Sequence, residues 1–120
     1  MLRRLRWSGV ILAVLVTWGL AGGFPAQSQT REPIRIGLIF PITGGFAANG
    51  RDSVNGFQMF WEEKGNAVAG RRVEIVVEDD VNVPANSLTK ARKLVEQDRV
   101  HLLVGPLSAA SGLGLVDYVN

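Results

Sequence analysis

Apolar residues fall along this chain in distinct rhythms, and each rhythm predicts an element. Residues 34–40 (IRIGLIF) make a short, nearly continuous apolar run, which predicts a strand buried on at least one face. Residues 41–50 (PITGGFAANG) are rich in glycine and predict a loop. From Arg51 the period lengthens. Val54, Phe57, Phe60 and Trp61 recur at threes and fours, the signature of one helix face packed on a core, while Arg51, Asp52, Asn55, Glu62 and Glu63 lie largely away from it. Gly65 and Asn66 supply a left-handed stop. In residues 72–80, Val73, Ile75 and Val77 alternate with Glu74, Val76 and Glu78, a period-two strand. Pro84 opens a second helix near its first turn. Leu88, Ala91, Leu94 and Val95 form its expected buried stripe, and Lys90, Arg92, Lys93 and Glu96 its wet face. Residues 100–105 (VHLLVG) predict a third strand, residues 106–114 a small-residue loop, and residues 113–119 the start of a third helix.

Strands alternating with helices through short connections predict an α/β fold: a parallel sheet with helices on both faces. In such sheets ligands sit beyond the carboxyl ends of the strands. Those ends carry residues 41–50, 79–83 and 106–112. The first and last of these loops are rich in Gly, Ser, Thr and Ala, as a loop must be to bring its backbone close to a ligand.

Ahead of the first strand the pattern is different. Arg3, Arg4 and Arg6 charge the first seven residues, and residues 10–20 (VILAVLVTWGL) follow as an uncharged, mostly apolar run. That run is too short to span a bilayer but fits the core of a secretory signal, which needs roughly 7–15 apolar residues. Ala26 and Ser28 fit the small-residue cleavage pattern, with the cut before Gln29. A cut after Gly23 and an uncleaved anchor are the alternatives. Residues 1–28 are therefore expected to be a secretory signal peptide, and residues 29–120 the exported domain. This changes how charge is read. Of thirteen Lys and Arg, three sit in the leader, so the rest of the chain is close to balanced against eleven Asp and Glu. A basic nucleic-acid surface is not indicated. The absence of cysteine excludes disulfides, thiolate metal sites and lipoprotein attachment at the cleavage point.

Residues 45–50 have the glycine spacing of a phosphate-binding loop, but the Lys and Ser/Thr that should follow are Arg51 and Asp52. An aspartate there repels phosphate, and a plain strand-to-helix turn accounts for the glycines. Asp79 and Asp80 are adjacent on a strand and point to opposite faces, so they do not converge on one substrate atom. Capping a turn or the following helix suits them better. His101 is the only histidine and sits in an apolar strand, too few partners for a metal site or a nucleophilic triad. No cofactor, metal or catalytic set is expected, and the chain does not read as an enzyme. Ser108 and Ser111 lie in a loop leading into a helix, where unsatisfied backbone N–H groups favour an anion; helix capping by a serine is the equal alternative.

From Ile34 onward, the chain resembles the branched-chain amino-acid (Leu/Ile/Val-type) periplasmic binding proteins of ABC importers. The residues that carry the resemblance come in order. They are Ile36-Gly37-Leu38 before Thr43-Gly44-Gly45-Phe46-Ala47-Ala48-Asn49-Gly50, then Asn55-Gly56-Phe57, then Val68-Ala69-Gly70-Arg71-Arg72-Val73-Glu74 into Asp79-Asp80, then Ala91-Arg92-Lys93-Leu94-Val95, then Val104-Gly105-Pro106-Leu107-Ser108. The resemblance implies two α/β lobes closing on a ligand at a hinge, with residues 29–120 forming the N-terminal part of lobe I of a longer protein. It implies that Ser108, Ala109 and Ala110 match the loop receiving a ligand's carboxylate and amino groups, and that Phe46 to Asn49 line the cleft. Asn49 stands where some amino-acid binders carry an aromatic residue and Ala109 where a serine often stands. Members resembling this chain also take amides, urea or aromatic acids.

The implied function is that of an extracytoplasmic receptor: a periplasmic protein that captures an amino acid or analogue and delivers it to the membrane permease of an ABC importer. A ligand-sensing ectodomain or regulator of the same fold is the first alternative, and an exported enzyme with its chemistry beyond Asn120 the second. With half of the two-lobed cleft absent, residues 29–120 alone are not expected to bind tightly.

Overall fold

The computed structural model describes residues 31–120; the leader expected over residues 1–28 lies outside them. In chain order the elements are β1 (Ile34–Phe40), α1 (Ala47–Glu63), β2 (Ala67–Val68), β3 (Arg71–Asp79), α2 (Pro84–Arg92) running on into a π-helical turn (Lys93–Gln97), β4 (Leu102–Val104), α3 (Ala109–Leu113) and α4 (Val116–Val119). The sheet order is β2-β3-β1-β4. β3 pairs in parallel with β1 from Ile34 opposite Val73 to Phe40 opposite Asp79. β4 pairs in parallel on the other side, against Ile36, Gly37 and Leu38.

The apolar run at 34–40 is central because nothing else could cover it. From Ile36 onward every residue of β1 is buried, which requires a layer on each face. Alternation assigns the layers. Ile36, Leu38 and Phe40 join Val73, Ile75 and Val77 under Val54, Phe57 and Trp61 of α1. Ile39, with Val76 and Leu103, lies under Leu88, Ala91, Leu94 and Leu115 on the opposite face. The expected parallel α/β sheet with helices on both faces is thus formed.

Several expectations need correction. α1 begins at Ala47, a full turn before Arg51. Its first turn carries no large apolar residue because the sheet is too close: a Cβ on Gly50 would lie 2.0 Å from the Pro41 carbonyl oxygen. Gly50 is therefore a helix-to-strand contact and not part of a phosphate cradle. Phe60 is not core; it is 50% exposed, stacks edge-on against Trp61 at 5.4 Å and lies under the Lys64 ammonium. Val95 is also exposed. The π-helical turn causes this, since Asp98 N–H reaches back five residues to the Lys93 carbonyl, and the added residue rotates Val95 out of the stripe that Leu94 still occupies. The wet face of α2 is not wholly wet either: Lys90 and Lys93 reach Glu78 at 2.7 and 2.6 Å. Burial raises the Glu78 pKa, but the hydrogen bonds from both ammoniums outweigh it and hold the carboxyl below its usual 4.5. β2, only two residues long and antiparallel to β3, is too short to leave a period. The third strand is shorter than expected, and the third helix begins at Ala109 rather than near 113.

Asp79 and Asp80 close the carboxyl end of β3, and they do so on opposite sides. Asp79 accepts from the Ile42 N–H at 3.0 Å, the Thr43 hydroxyl at 2.5 Å and the Val81 N–H at 2.9 Å, pinning the loop after β1 to the loop after β3. Asp80 is fully buried and accepts from the Ser87 hydroxyl at 2.6 Å and the Asn82 N–H at 3.0 Å, fixing the entry to α2. Burial pushes the Asp79 carboxyl up, yet the bonds from Thr43, Val81 and Ile42 hold it below its usual 3.8. A depressed folded-state pKa means stability that is present above pH 3.8 and is lost as the pH falls through the lowered value.

Two measurements check this account. Gly50→Ala and Gly56→Ala sit in the same helix, but a Cβ at Gly56 meets nothing within 4 Å. Urea unfolding is expected to show Gly50→Ala destabilised by about 1–3 kcal/mol, because the helix must move off the strand, and Gly56→Ala stabilised by up to about 1 kcal/mol; equal effects would refute the close-contact role. Asp79→Asn keeps an oxygen for two backbone donors and loses the charge, so it is expected to cost about 1 kcal/mol at neutral pH. Its stability should also fall less steeply than the parent's as the pH drops below 3.8, and an unchanged acid limb would sink the idea.

Candidate functional site

β1, β3 and β4 run parallel, so the loops that follow them gather at one end of the sheet and form its rim. The loop after β1 is set by Asp79 at one side and by α1 at the other. Phe46 sits just before α1 and is half exposed, and Asn49, in the first turn, is also exposed. The Arg51 guanidinium reaches back to the Ile42 carbonyl at 3.2 Å, a tie that the sequence pattern did not flag.

The loop after β4 crosses over the end of β1. Gly105 takes φ +106, and a Cβ there would stand 2.1 Å from the Ile39 carbonyl oxygen; only glycine lets the chain pass so close. Ser108 follows in an extended conformation, and its hydroxyl oxygen accepts the Ser111 N–H at 3.2 Å, which makes it the cap of α3. Ser108 is half-buried and Ala109 and Ala110 are exposed. Ser111 is fully buried, and its hydroxyl has no partner among the described residues. Phe46 and Asn49 therefore belong to one loop and Ser108 to Ser111 to another, and the two loops extend the adjacent strands β1 and β4.

This end of the sheet offers hydrogen-bond donors. The first N–H groups of a helix lack intrahelical partners, and those of α3 belong to Ala109 and Ala110, beside the Ser108 hydroxyl. Both nearby carboxylates, Asp79 and Asp80, are occupied in holding loops. Among the described residues no group of three or more His, Cys, Asp and Glu side chains is placed to hold a metal. His101 lies at the opposite end of the sheet, where its Nδ1 accepts the Arg35 N–H at 3.1 Å and its own N–H donates to the Arg35 carbonyl at 2.8 Å. It extends the β1–β4 ladder by one step. Two cavities lie away from the rim. One of about 340 Å3 is lined by Glu32, Pro33, Arg35, Arg99 and His101, and one of about 240 Å3 lies beside α1 against Val73 and Ile75.

The family model for the periplasmic binding protein matches residues 33–120. Leu/Ile/Val-binding protein homolog 6 of Brucella abortus (strain 2308) is 31% identical over 97 residues, which is 80% of this chain and 24% of that protein. Among solved structures, an ABC transporter substrate-binding protein from Sphaerobacter thermophilus superposes with a TM-score of 0.70 at 33% identity, over 72% of this chain and 24% of that one. A solute binding protein of an ABC transporter from Rhodopseudomonas palustris BisB5, in complex with 3,4-dihydroxy benzoic acid, gives a TM-score of 0.69 at 29% identity over the same shares. The chain thus spans about a quarter of the length of the proteins it matches. A strand-to-helix order in which five short signatures recur, a sheet that superposes on solved binding proteins, and a family match across nearly all the described residues lead to one assignment: the chain belongs to the periplasmic binding protein family, whose members bind solutes and are not enzymes.

Proposed function

We propose that this chain supplies the first part of lobe I of an exported solute receptor. The receptor captures amino acids of the branched-chain type, or related small carboxylates and amides, for delivery to the membrane permease of an ABC importer. The observation that carries the reading is the start of α3. Ala109 and Ala110 are exposed there, and their helix-terminal N–H groups lack intrahelical partners beside the capping Ser108, while Asp79 and Asp80, at the end of β3, are consumed in structural hydrogen bonds. Helix-terminal donors suit a carboxylate. Phe46 and Asn49, on the adjacent loop, would face the body of the same ligand, with Ser111 behind Ser108 holding the loop to α3. The relatives' names and ligands support a carboxylate and leave its side group wide, from Leu/Ile/Val to 3,4-dihydroxy benzoic acid. Export follows from reading residues 1–28 as a signal peptide that delivers residues 29–120 to the periplasm.

Two experiments test this. On titration of the full-length chain with isoleucine and with 3,4-dihydroxybenzoate, the backbone amide resonances of Ala109, Ala110, Phe46 and Asn49 are expected to shift together. Ser108→Ala should weaken the response by about 5- to 10-fold, the worth of one hydroxyl contact and its cap. Shifts confined to other parts of the sheet, or no response to any carboxylate, would remove the site. Intact-mass measurement of the product from the periplasmic fraction is expected to begin at Gln29, and a cytoplasmic product retaining Met1 would remove the export reading.

A further inference from the structure

The segment that follows α2 ends on a residue its backbone does not favour. Arg99 takes φ +52, the left-handed position past a helix end that glycine fills with least strain. The turn holds it there through the Asp98 N–H on the Lys93 carbonyl at 3.1 Å and the Val100 N–H on the Leu94 carbonyl at 3.0 Å. Its side chain is thereby delivered to the cavity of about 340 Å3 that Glu32, Pro33, Arg35 and His101 also line. This cavity lies at the amino end of the strands, the opposite end from the rim.

The donors there have a definite state. Arg35 uses Nε on Glu74 and Nη1 on the Asp98 carbonyl, both at 3.3 Å, which leaves Nη2. Because His101 Nδ1 accepts the Arg35 N–H, the neutral ring carries its proton on Nε2, a second donor. Arg99 forms no ion pair among the described residues, and its guanidinium offers a planar fork. Against these stands one acid in the lining, Glu32. We propose that this cavity is a binding site for a small phosphate-type oxyanion, held by the Arg99 fork with Arg35 Nη2 and His101 Nε2–H around it. A forked guanidinium matches phosphate oxygens in geometry as well as charge. The site is separate from the rim and does not depend on which solute binds there.

The test is a titration of the full-length chain with inorganic phosphate at constant ionic strength, followed by amide resonances. Those of Arg35, Arg99, Val100 and His101 are expected to move together and to saturate with a Kd of about 1 mM. Arg99→Gly removes the fork and relaxes the backbone, so it should melt no lower than the parent while its phosphate response weakens at least ~10-fold. Arg92→Gln removes an equal charge from α2, outside the cavity, and should leave the titration unchanged. Co-sedimentation with phosphatidylglycerol vesicles, lost in Arg99→Gly, would identify the phosphate as a lipid headgroup; binding of inorganic phosphate without vesicle binding would identify a free oxyanion. Absence of a saturable shift with either source, an undiminished response in Arg99→Gly, or an equal loss in Arg92→Gln would overturn the proposal.

Discussion

A strand sealed on both faces is the constraint from which the rest of this domain follows. From Ile36 to Pro41 every residue is buried, and Leu38 and Ile39, neighbours that point in opposite directions, are both wholly so. Each such side chain contributes about 1.5–3 kcal/mol when fully removed from water, but only if a layer exists on its own side. Two helices are therefore obligatory, one per face. Reaching both faces between parallel strands obliges each connection to leave from the carboxyl end and return to the amino end. The gathering of the Gly-rich and Ser-containing loops at one end is a result of burying β1.

Charge is used in the same structural way. Asp79 joins two loops, Asp80 fixes the entry to α2, and Glu78 gathers Lys90 and Lys93 from the helix that crosses above it. Three consecutive acids at the end of β3 thus serve three different contacts, with alternation sending the outer two and the middle one to opposite faces. What the loop after β4 adds at the rim is backbone N–H beside the Ser108 cap. Such a surface can hold and orient a polar group.

Much of this was legible because periodicity reports burial directly. β1 and the start of α2 fall where the apolar pattern puts them, since each packs on a continuous partner. The pattern misled where a neighbour distant in sequence sets the geometry. Gly50 and Ala47 carry no apolar signal, yet they are the part of α1 nearest the sheet, and that closeness is why large residues are missing there. Val95 follows α-helical spacing and fails because the helix itself changes pitch. The rim was located from the ends of the strands, and Ser108 proved to be a cap with its hydroxyl on Ser111 N–H. Asp79 caps its own turn at Val81, as expected of it, but its ties to Ile42 and Thr43 had no sequence signal, as those partners lie thirty-seven and thirty-six positions away.

The two walls of the rim differ in stiffness. The loop after β1 is anchored by the Asp79 bonds and the Arg51 guanidinium, and it leaves a strand paired along its whole length. Its conformational freedom is lost when the chain folds, so no ordering cost remains for a later encounter. The loop bearing Ser108 leaves β4, which holds to β1 through three residue pairs, a ladder less than half as long as the seven pairs that join β1 to β3. Any group that meets this end of the sheet would find one wall fixed by side-chain ties and the other held by three residue pairs and a serine cap.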